Sequence, residues 1–598
     1  MKFIFLFLGL VCSALCSATP SITQLNPAFG PSVGGNQVAI SGNGFKNVTS
    51  VVFGNKQAAS FTVANKDLII AIAPEDVPGT VTVSVTTSKG TTPTTSASQY
   101  TFQGNWLSYV ADLTGRQVTP INLASNTPLA PIPMQFQPSE VAITPNGQTA
   151  YVVNELSDVI IPVDVATNTA KTPIPSLGDF PDAIAITPDG KTAYIANGNT
   201  ANVLALDIAT NTPGVLIPVG TAPVALAITP DGTTVYVVNA VSNNVTPINV
   251  ATNTPGTPIA VGLQPFAIAV TPDGRTAYIA NSEGANVTPI TIATNTAGPP
   301  IAVGNFPNGL AITPDGQTLF VTNASSNSVT PISIATNTPG PSFSIGNNPI
   351  GIAITPDGKT GYVTSYFSDS LIPFDVATHA VGTPIATGGG PNGLAITPDQ
   401  APFATFTFNT IEDGLTVIFD ASASVSPVGS IVNYAWDFGD GHTESTSNRV
   451  ISHLYTSTGP FLVTLTVTNS AGTSTRQVFT GQTVSNNGGP NATTSVKLTL
   501  LSPPTRLHGK QVANRFLTQT DLVNILTWNP PQTGELPVAY HIYRNSSLTQ
   551  FVAKVSASKR LTFADHNRKE GKTYSYYIVS IDANGRQSAP TKISIKGS

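Results

Sequence analysis

The sequence predicts an all-β protein made of several domains, and three observations lead to that prediction. The chain has 598 residues, which is too long for one hydrophobic core and indicates about four domains. Charged residues make up only 10% of the chain and hydrophobic residues 40%, a composition typical of folded rather than disordered proteins. The hydrophobic residues occur in short runs rich in Val, Ile and Thr, which alternate with Gly, Pro, Asn and Asp as strands alternate with turns.

The first 18 residues, MKFIFLFLGLVCSALCSA, predict a signal peptide. A Lys precedes an apolar run that ends in small residues, so cleavage is expected after Ala18. A lipoprotein signal is the alternative, because Cys12 and Cys16 follow apolar residues. Both cysteines of the chain lie here, so the mature protein would contain no thiol. No later segment approaches the roughly 20 apolar residues of a transmembrane helix. We predict a secreted, extracellular or cell-surface protein, with the periplasm as a further compartment.

One phrase, AITPDGKTAYIAN at residues 185–197, recurs along the middle of the chain. Counted from the Thr of the Thr-Pro turn, the spacing is 43 residues once and 42 residues five times. The copies start at Thr144, Thr187, Thr229, Thr271, Thr313, Thr355 and Thr397. Each full unit contains four strand-like pieces joined by turn residues, which predicts one blade of a β-propeller.

The two ends of the repeat region are incomplete in complementary ways. The residues after Trp106 supply only the second, third and fourth strands of a unit, and those after Pro391 supply only a first strand. Together they make a seventh blade, and this closure would bury two sheet edges. We therefore predict a seven-bladed propeller over residues 105–400, closed by one strand plus three.

Phrases such as VYVVN and LFVTN, followed by VTPINVATNTPGTPIAVG, resemble the YVTN β-propeller repeats of secreted bacterial and archaeal surface proteins. Most third strands of these repeats carry a Pro in mid-strand. These prolines are Pro120, Pro162, Pro247, Pro289, Pro331 and Pro373. Because Pro cannot donate a hydrogen bond, we expect each of them at a bulge or at a position without a ladder bond.

Residues 19–104 contain PSITQLNPAFGPSVGGNQVAISGNGF and resemble an IPT/TIG domain, an immunoglobulin-like sandwich. The resemblance implies a tight turn at Gly34 and Gly35 and core positions for Phe45 and Phe53.

Residues 401–484 contain YAWDFGDG and ISHLYTSTGPFLVTLTVTNSAG and are similar to a PKD domain, another small β-sandwich. Trp436 is predicted in its core, and Asp437, Asp440 and Gly441 are predicted to shape the following hairpin. Calcium binding by Asp437, Asp440 and Asp420 is the alternative, but no metal is expected because these residues favour a turn without one.

The Gly- and Asn-rich segment 485–495 predicts a linker to a last domain. Residues 496–598 contain LTWNPP, AYHIYR and EGKTYSYYIVSIDANGRQSAP and resemble a fibronectin type III domain, a third sandwich. The resemblance implies a core position for Trp528 and a tyrosine corner at Tyr574. The stretch 505–524 is longer than the usual opening of such a domain.

The propeller segment holds few residues that could carry catalysis. It contains one His, His379, and three Glu, namely Glu140, Glu155 and Glu283. His379 occupies a turn where other repeats have Asn, so we expect it to face solvent, and the Asp of each TPDG turn is predicted to form that turn. No catalytic or metal-binding motif occurs. Seven-bladed propellers include lactonases and lyases, and such an enzyme is an alternative. The prediction is a protein that is not an enzyme and has no cofactor.

A binding scaffold fits the variation between the repeats better than an enzyme does. The turns between strands one and two and between strands three and four repeat almost unchanged, whereas the other two connections differ from blade to blade and share the opposite end of the ring. Aromatic and acidic residues in those connections suit recognition of an extracellular protein or carbohydrate. The candidate ligand-binding residues are Phe136, Glu155, Asp179, Phe180, Asp182, Glu283, Phe306, Tyr366 and Phe367.

Charge is unevenly distributed along the chain. Residues 492–598 hold 14 Lys and Arg against 5 Asp and Glu, whereas the remainder holds 12 against 26. This basic domain is predicted to contact an anionic component of the cell envelope. Five of its basic residues lie close together in sequence and are the candidate contacts: Lys559, Arg560, Arg568, Lys569 and Lys572. A structural surface-layer or matrix component is the other alternative function, and the oligomeric state is left open.

Overall fold

The computed structural model describes residues 19–26, 29–31, 37–74, 79–103, 106–411, 415–482, 484–515, 520–532, 534–583 and 585–597. The predicted signal peptide and the turn predicted at Gly34 and Gly35 lie outside these residues. The described chain is almost entirely β-structure with a few single-turn 3-10 helices, which confirms the predicted fold class. Within it, no helix has the length and apolar character needed to span a membrane.

The N-terminal domain is a sandwich of two antiparallel-rich sheets. One sheet contains Ser21–Asn26, Gln37–Asn43, Leu68–Ile72 and Ser60–Asn65. The other contains Phe29–Pro31, Gln99–Gln103, Gly79–Thr87, Val48–Phe53, Lys56–Gln57 and Gly90–Thr91. Phe45 and Phe53 are fully enclosed between the sheets, as predicted.

The propeller has seven sheets arranged as a ring, and each sheet contributes an inner, a second and a third strand of six residues. The inner strands are Pro138–Ile143, Pro181–Ile186, Pro223–Ile228, Pro265–Val270, Pro307–Ile312, Pro349–Ile354 and Pro391–Ile396. The second strands are Leu107–Asp112, Thr149–Asn154, Thr192–Asn197, Thr234–Asn239, Thr276–Asn281, Thr318–Asn323 and Thr360–Ser365. The third strands are Gln117–Asn122, Val159–Asp164, Asn202–Asp207, Asn244–Asn249, Asn286–Thr291, Ser328–Ser333 and Ser370–Asp375.

The ring closes in the predicted way. Pro391–Ile396 pairs antiparallel with Leu107–Asp112, so that Ser108 lies opposite Ile396 and Val110 opposite Leu394. The amide of Thr397 donates to the carbonyl of Leu107 at 2.8 Å and extends the ladder. One strand from the C-terminal end of the propeller therefore completes a blade whose other strands come from its N-terminal end.

The outer strands show why the mid-strand prolines are tolerated. In the five blades with both outer pieces, the outer strand is split into two dipeptides that flank the proline of the third strand. These pairs are Thr127–Pro128 with Ile132–Pro133, Thr169–Ala170 with Ile174–Pro175, Thr254–Pro255 with Ile259–Ala260, Thr296–Ala297 with Ile301–Ala302, and Thr338–Pro339 with Phe343–Ser344. A sixth blade keeps Ile385–Ala386 and a bridge between Phe374 and Val381. The blade with Ala205 in place of proline has one continuous outer strand, Thr212–Pro218. Because proline has no N–H, it donates no ladder hydrogen bond to the outer strand, which is interrupted there. Each proline therefore lies at a position without a donated ladder bond, as predicted.

Neighbouring blades are tied together by a repeated hydrogen bond. In six blades, the tyrosine of the second strand donates its hydroxyl proton to an Asn in the turn of the next blade at 2.5–2.7 Å. Each of these asparagines has a φ between 52° and 54°, a left-handed conformation that Asn adopts more readily than most residues.

The one exception corrects the prediction for His379. Phe320 takes the place of the tyrosine, and His379 takes the place of the Asn. The His379 ring stacks on Phe343, with ring centroids 5.0 Å apart, and meets Phe320 edge-on. His379 is therefore a packed residue between two blades rather than a solvent-facing one, because Phe320 offers no hydroxyl and an aromatic contact replaces the hydrogen bond.

The interblade bond should make a measurable contribution to stability. We expect Tyr236→Phe and Asn295→Gly each to lower the free energy of unfolding. The double variant should lose about 1 kcal/mol less than the sum of the two single losses, because the hydrogen bond can be lost only once. Gly tolerates the φ of 52° at this position, so its change removes mainly the side chain. A double-mutant cycle on thermal or urea unfolding measures the coupling, and strictly additive effects would contradict it.

The domain that resembles PKD, called the PKD domain below, is a sandwich that extends further than predicted. Its sheets contain Thr407–Thr410, Thr416–Asp420 and Val450–Leu454 on one side. On the other side lie Thr443–Thr446, Ile431–Asp437, Phe461–Asn469 and Thr493–Leu498. Trp436 is buried between them, as predicted.

The predicted linker 485–495 is wrong. Val484–Asn487 pairs in parallel with Asp399–Gln400, and Thr493–Leu498 forms an edge of the PKD sandwich beside Phe461–Asn469. Gly and Asn in this segment interrupt the strands only briefly, and the alternation of TTSVKL places Val496 and Leu498 against the core.

The C-terminal domain has the two-sheet form of an immunoglobulin-like sandwich. Thr505–Arg515, Thr520–Asn529 and Thr562–Arg568 form one sheet. Phe551–Ser556, Ala539–Tyr543, Thr573–Ile581 and Thr591–Lys596 form the other. Trp528 is buried between the sheets, and the Tyr574 hydroxyl accepts a hydrogen bond from the amide of Lys569 at 3.0 Å, the contact expected of a tyrosine corner. The long opening stretch forms the first two strands.

Candidate functional site

The PKD domain inserts a hairpin into the propeller channel. Val478–Phe479 and Val484–Asn487 pair antiparallel, and the carbonyl of Gly481 between them accepts a hydrogen bond from the amide of Ile228 at 2.7 Å. A Cβ at Gly481 would lie 2.9 Å from the backbone nitrogen of Val270, and the φ of +110° favours glycine as well. Only a glycine allows this close approach of the hairpin to the inner strands.

The hairpin enters from the end of the ring that carries the TPDG turns, here called the turn end. Gln477 donates its side-chain amide to the carbonyl of Pro188 at 2.9 Å, and Gln400 donates to that of Pro145 at 3.0 Å. The repeated turns therefore serve both as blade connections and as the docking surface for the PKD domain. The opposite end, here called the variable end, stays open and leads into a blind pocket of about 350 Å³ whose floor includes Gln482.

The wall of this pocket comes from one variable position of each inner strand. The residue directly after the first Pro of each strand lines the pocket or its wall. These residues are Ser139, Asp182, Val224, Phe266, Asn308, Ile350 and Asn392. The next residue is Ala or Gly in six strands, because the inner ring is narrow. At Gly309, for example, a Cβ would lie 2.2 Å from the carbonyl oxygen of Ile350.

Glu140 is the exception among these small residues and projects a carboxyl into the pocket. It takes the place of Ala183 and Gly393 in the equivalent strands. A Cβ on Gly393 would lie 2.7 Å from the Glu140 carboxyl, so this glycine provides the space that the larger side chain needs. The carboxyl accepts a hydrogen bond from the amide of Val141 at 3.2 Å.

Three carboxyl groups share the pocket and hold their protons more strongly than free carboxyls. Burial raises the pKa of Glu140 from 4.5 to about 7 and that of Glu155 from 4.5 to about 7. Burial also raises the pKa of Asp182 from 3.8 to about 8, with further contributions from the charges of Glu155 and Glu140. Among the described residues, the lining contains no Lys, Arg or His to compensate these charges. Burial therefore favours the protonated, neutral forms of these carboxyls, and a cationic group bound beside them would stabilise their ionised forms.

Two aromatic side chains at the mouth are positioned by the variable connections. Phe180 has a φ of 62° and its amide donates to the Asp158 carboxylate at 2.9 Å, which fixes the backbone at the rim. Tyr366 begins a single 3-10 turn, Tyr366–Ser368, and its ring reaches the pocket beside Gly390. Together with Phe266 deeper in the wall, these rings offer flat apolar surfaces next to the carboxyls.

The structure brings together four of the nine predicted ligand-binding residues. Glu155, Phe180, Asp182 and Tyr366 line the pocket. The other five lie outside its lining, on exposed parts of the variable end: Phe136, Asp179, Glu283, Phe306 and Phe367. Phe367 is 67% exposed and packs edge-on against Tyr366, with ring centroids 5.2 Å apart. These five remain candidate contacts for a ligand larger than the pocket.

The sequence analysis did not identify the residues that line the pocket more deeply, although the repeats contain a pattern that points to them. Strand by strand, the phrase Pro-x-x-Leu-Ala-Ile-Thr varies mainly at its two x positions. A carboxylate such as Glu140 where other copies have Ala or Gly is the most informative departure. Gln482 could not have been found in this way, because it belongs to another domain.

The five basic residues proposed for anchoring do not form one cluster. Lys559 and Arg560 precede the strand Thr562–Arg568, whereas Lys569 and Lys572 follow it. A seven-residue strand spans roughly 20 Å, so the two groups lie at opposite ends of the domain. Arg568 is in addition paired with Asp565 at 3.6 Å and lies over the Tyr574 ring. Closeness in sequence was misleading here because an extended strand separates the residues.

The fold and the site together define a modular β-propeller protein with a blind acidic pocket at one end of its channel. Comparison with known families assigns the domains. The chain matches the IPT/TIG domain over residues 20–102 and the PKD domain over residues 399–484. Residues 108–216 and 145–257 match the family described as lactonase, 7-bladed beta-propeller. Domains of the first two kinds are typical of extracellular proteins.

Similarity to individual proteins is partial. A microbial collagenase of Vibrio alginolyticus is 40% identical over 73 residues, which is 12% of this chain and 9% of that protein. Hydrazine synthase of Kuenenia stuttgartiensis is 23% identical with a TM-score of 0.41, over 44% of this chain and 91% of the other. A candidate 6-phosphogluconolactonase from Bacteroides uniformis is 16% identical with a TM-score of 0.43, over 49% and 99%.

Proposed function

We propose that this protein is an extracellular recognition protein that binds a protein segment or a carbohydrate through the channel pocket at the variable end of its propeller. The observation that carries the proposal is the pocket wall itself. In a ring whose turns and strands repeat closely, the wall residues differ from blade to blade, as in Asp182, Phe266 and Asn392. An asymmetric wall in a symmetric scaffold suits recognition of one particular ligand.

The chemistry of the wall favours a ligand that brings hydrogen-bond donors or a positive charge. Glu140, Glu155 and Asp182 can accept several hydrogen bonds, and no cationic side chain among the described lining residues competes for them. Phe180, Phe266 and Tyr366 provide surfaces on which a sugar ring or an aliphatic chain could pack. Amino sugars and Lys- or Arg-containing segments combine both features.

A lactonase is the second candidate, and the raised pKa values are what favour it. A carboxyl whose pKa lies near 7, such as that of Glu140 or Glu155, can exchange protons at neutral pH. Lactone hydrolysis, however, develops negative charge on the carbonyl oxygen, and each of these carboxyls that ionises would repel that charge, since no cationic side chain among the described lining residues compensates it. The electrostatics of the pocket therefore support binding over hydrolysis.

Binding is tested with residues 19–598 on a glycan array that includes amino sugars, and on extracellular peptides that contain Lys or Arg. Glu140→Gln should weaken the strongest interaction at least tenfold, because it keeps the shape of the side chain and removes its charge. Asp231→Asn makes the same charge change on an exposed turn at the opposite end and should leave binding unchanged.

Equal loss of affinity in Glu140→Gln and Asp231→Asn would contradict a site at the variable end. Turnover of any member of a lactone panel that disappears in Glu140→Gln would favour the enzyme instead.

A further inference from the structure

A group of metal-ligand side chains lies in the PKD domain, far along the chain from the propeller pocket. Asp440, His442 and His453 each offer one ligand atom, and these atoms lie within 4.8 Å of one another. Nε2 of His453 is 2.8 Å from Oδ2 of Asp440, and Nδ1 of His442 is 3.3 Å from Oδ1 of the same carboxylate. Two imidazoles thus converge on one carboxylate: His453 lies on the strand Val450–Leu454, and His442 lies in the turn directly before Thr443–Thr446.

We propose that Asp440, His442 and His453 bind a divalent transition-metal ion, with Zn²⁺ as the best match. Two imidazole nitrogens and one carboxylate oxygen form a donor set that Zn²⁺ uses readily and that Ca²⁺, which prefers six to eight oxygens, does not. The fourth position of a tetrahedral ion would be open to water.

The calcium alternative considered from the sequence finds less support in the same loop. The Asp437 carboxylate accepts a hydrogen bond from the amide of Gly439 at 2.9 Å. The Asp420 carboxylate accepts one from the amide of Ser422 at 2.8 Å. Both residues therefore shape their own turns, and neither belongs to the group of converging ligand atoms.

The three side chains differ in packing and exposure in a way that suits a metal site. The His453 ring stacks on Phe438 with centroids 4.0 Å apart and meets Tyr455 edge-on, so its orientation is fixed. Asp440 and His453 are only 11% and 13% exposed, whereas His442 is 73% exposed. The first two would form a rigid half-site, and His442 could move by the small distance that a bound ion requires.

A bound ion would join the two sheets of the PKD sandwich. Asp440 and His442 lie between Ile431–Asp437 and Thr443–Thr446, which belong to one sheet, and His453 lies on Val450–Leu454 in the other. The ion would replace hydrogen bonds by coordinate bonds across this gap. Since the native state alone presents the three ligands together, binding should raise the melting temperature.

The test uses residues 19–598 without a purification tag and Zn²⁺ as the probe in titration calorimetry. Wild type should bind one ion that is lost, or bound at least tenfold more weakly, in His442→Ala. His508 is an exposed histidine on Thr505–Arg515 and provides the matched control, since His508→Ala should bind like wild type. Zn²⁺ should also raise the melting temperature of wild type and of His508→Ala, but not that of His442→Ala.

Several results would overturn the proposal. One is that wild type and His442→Ala bind Zn²⁺ with equal affinity and stoichiometry. Another is that folded wild type binds no Zn²⁺. A third is that an equal concentration of Ca²⁺ displaces the bound Zn²⁺. His453→Gln gives a second check if its melting temperature without metal stays close to that of wild type, and it too should lose the ion.

Discussion

Replacing Asp182 by Asn is expected to raise the free energy of unfolding at pH 8 by about 5 kcal/mol while weakening ligand binding. The pKa of Asp182 is about 8 in the folded protein, mainly because of burial, and 3.8 is its ordinary value. Between these two pH values the native state binds more protons than the unfolded state, so stability falls as pH rises through this window. Asn keeps the size of the side chain and removes this pH dependence.

The comparison that decides this prediction is urea unfolding at pH 5 and at pH 8. The gain in the free energy of unfolding from Asp182→Asn should be about 3 to 4 kcal/mol larger at pH 8 than at pH 5, because most of the window between the two pKa values lies above pH 5. Asp231→Asn is the control, and it should lower the free energy of unfolding at pH 8 instead of raising it. Although burial raises the pKa of Asp231, hydrogen bonds from Thr229 and Thr233 outweigh it and lower the pKa overall. A gain that is equal at both pH values, or a loss at pH 8, would show that Asp182 is not held in a desolvated pocket.

A disulfide between Cys residues introduced at positions 108 and 396 is expected to form without rearrangement and to stabilise the propeller by about 2–4 kcal/mol. Ser108 and Ile396 are direct partners in the antiparallel pair that closes the ring. The bond would link chain segments separated by most of the propeller, so it would restrict the unfolded chain strongly. The change also removes the buried Ser108 hydroxyl, which has no hydrogen-bond partner.

Expression of residues 19–598 makes this experiment simple, because both native cysteines lie before residue 19. The oxidised Ser108→Cys/Ile396→Cys variant should melt at a higher temperature than its reduced form and should migrate as a monomer. The single variant Ser108→Cys controls for the side-chain change. If both introduced thiols are still free when the protein is unfolded after exposure to oxidising conditions, the one-plus-three closure is wrong.

Local sequence was sufficient for the architecture because the propeller is built from local units. A period of 42 residues, four strand-like pieces per period and complementary fragments at the two ends led to the number of blades and to their closure. Core residues such as Phe53, Trp436 and Trp528 could be predicted equally well, since each is a large apolar residue in an alternating strand.

Predictions were less successful where a residue's environment depends on contacts with residues distant in sequence. His379 was expected in solvent, but its environment depends on Phe320 of the neighbouring blade. The linker prediction failed because strand formation at Thr493–Leu498 depends on a partner strand rather than on local composition. The basic residues 559–572 were close in sequence, yet a strand separates them.

The sequence by itself determined the fold class, the blade count and the end of the ring at which variation concentrates, because each of these follows from periodicity and turn chemistry. Only the tertiary structure decided that the channel is blind, that Glu140, Glu155 and Asp182 line one pocket in it, and that His442 and His453 converge on Asp440. The physical reason is that a repeat pattern fixes how neighbouring strands pair. The contacts that create a pocket or a metal site instead join residues whose separation in sequence carries no periodic signal.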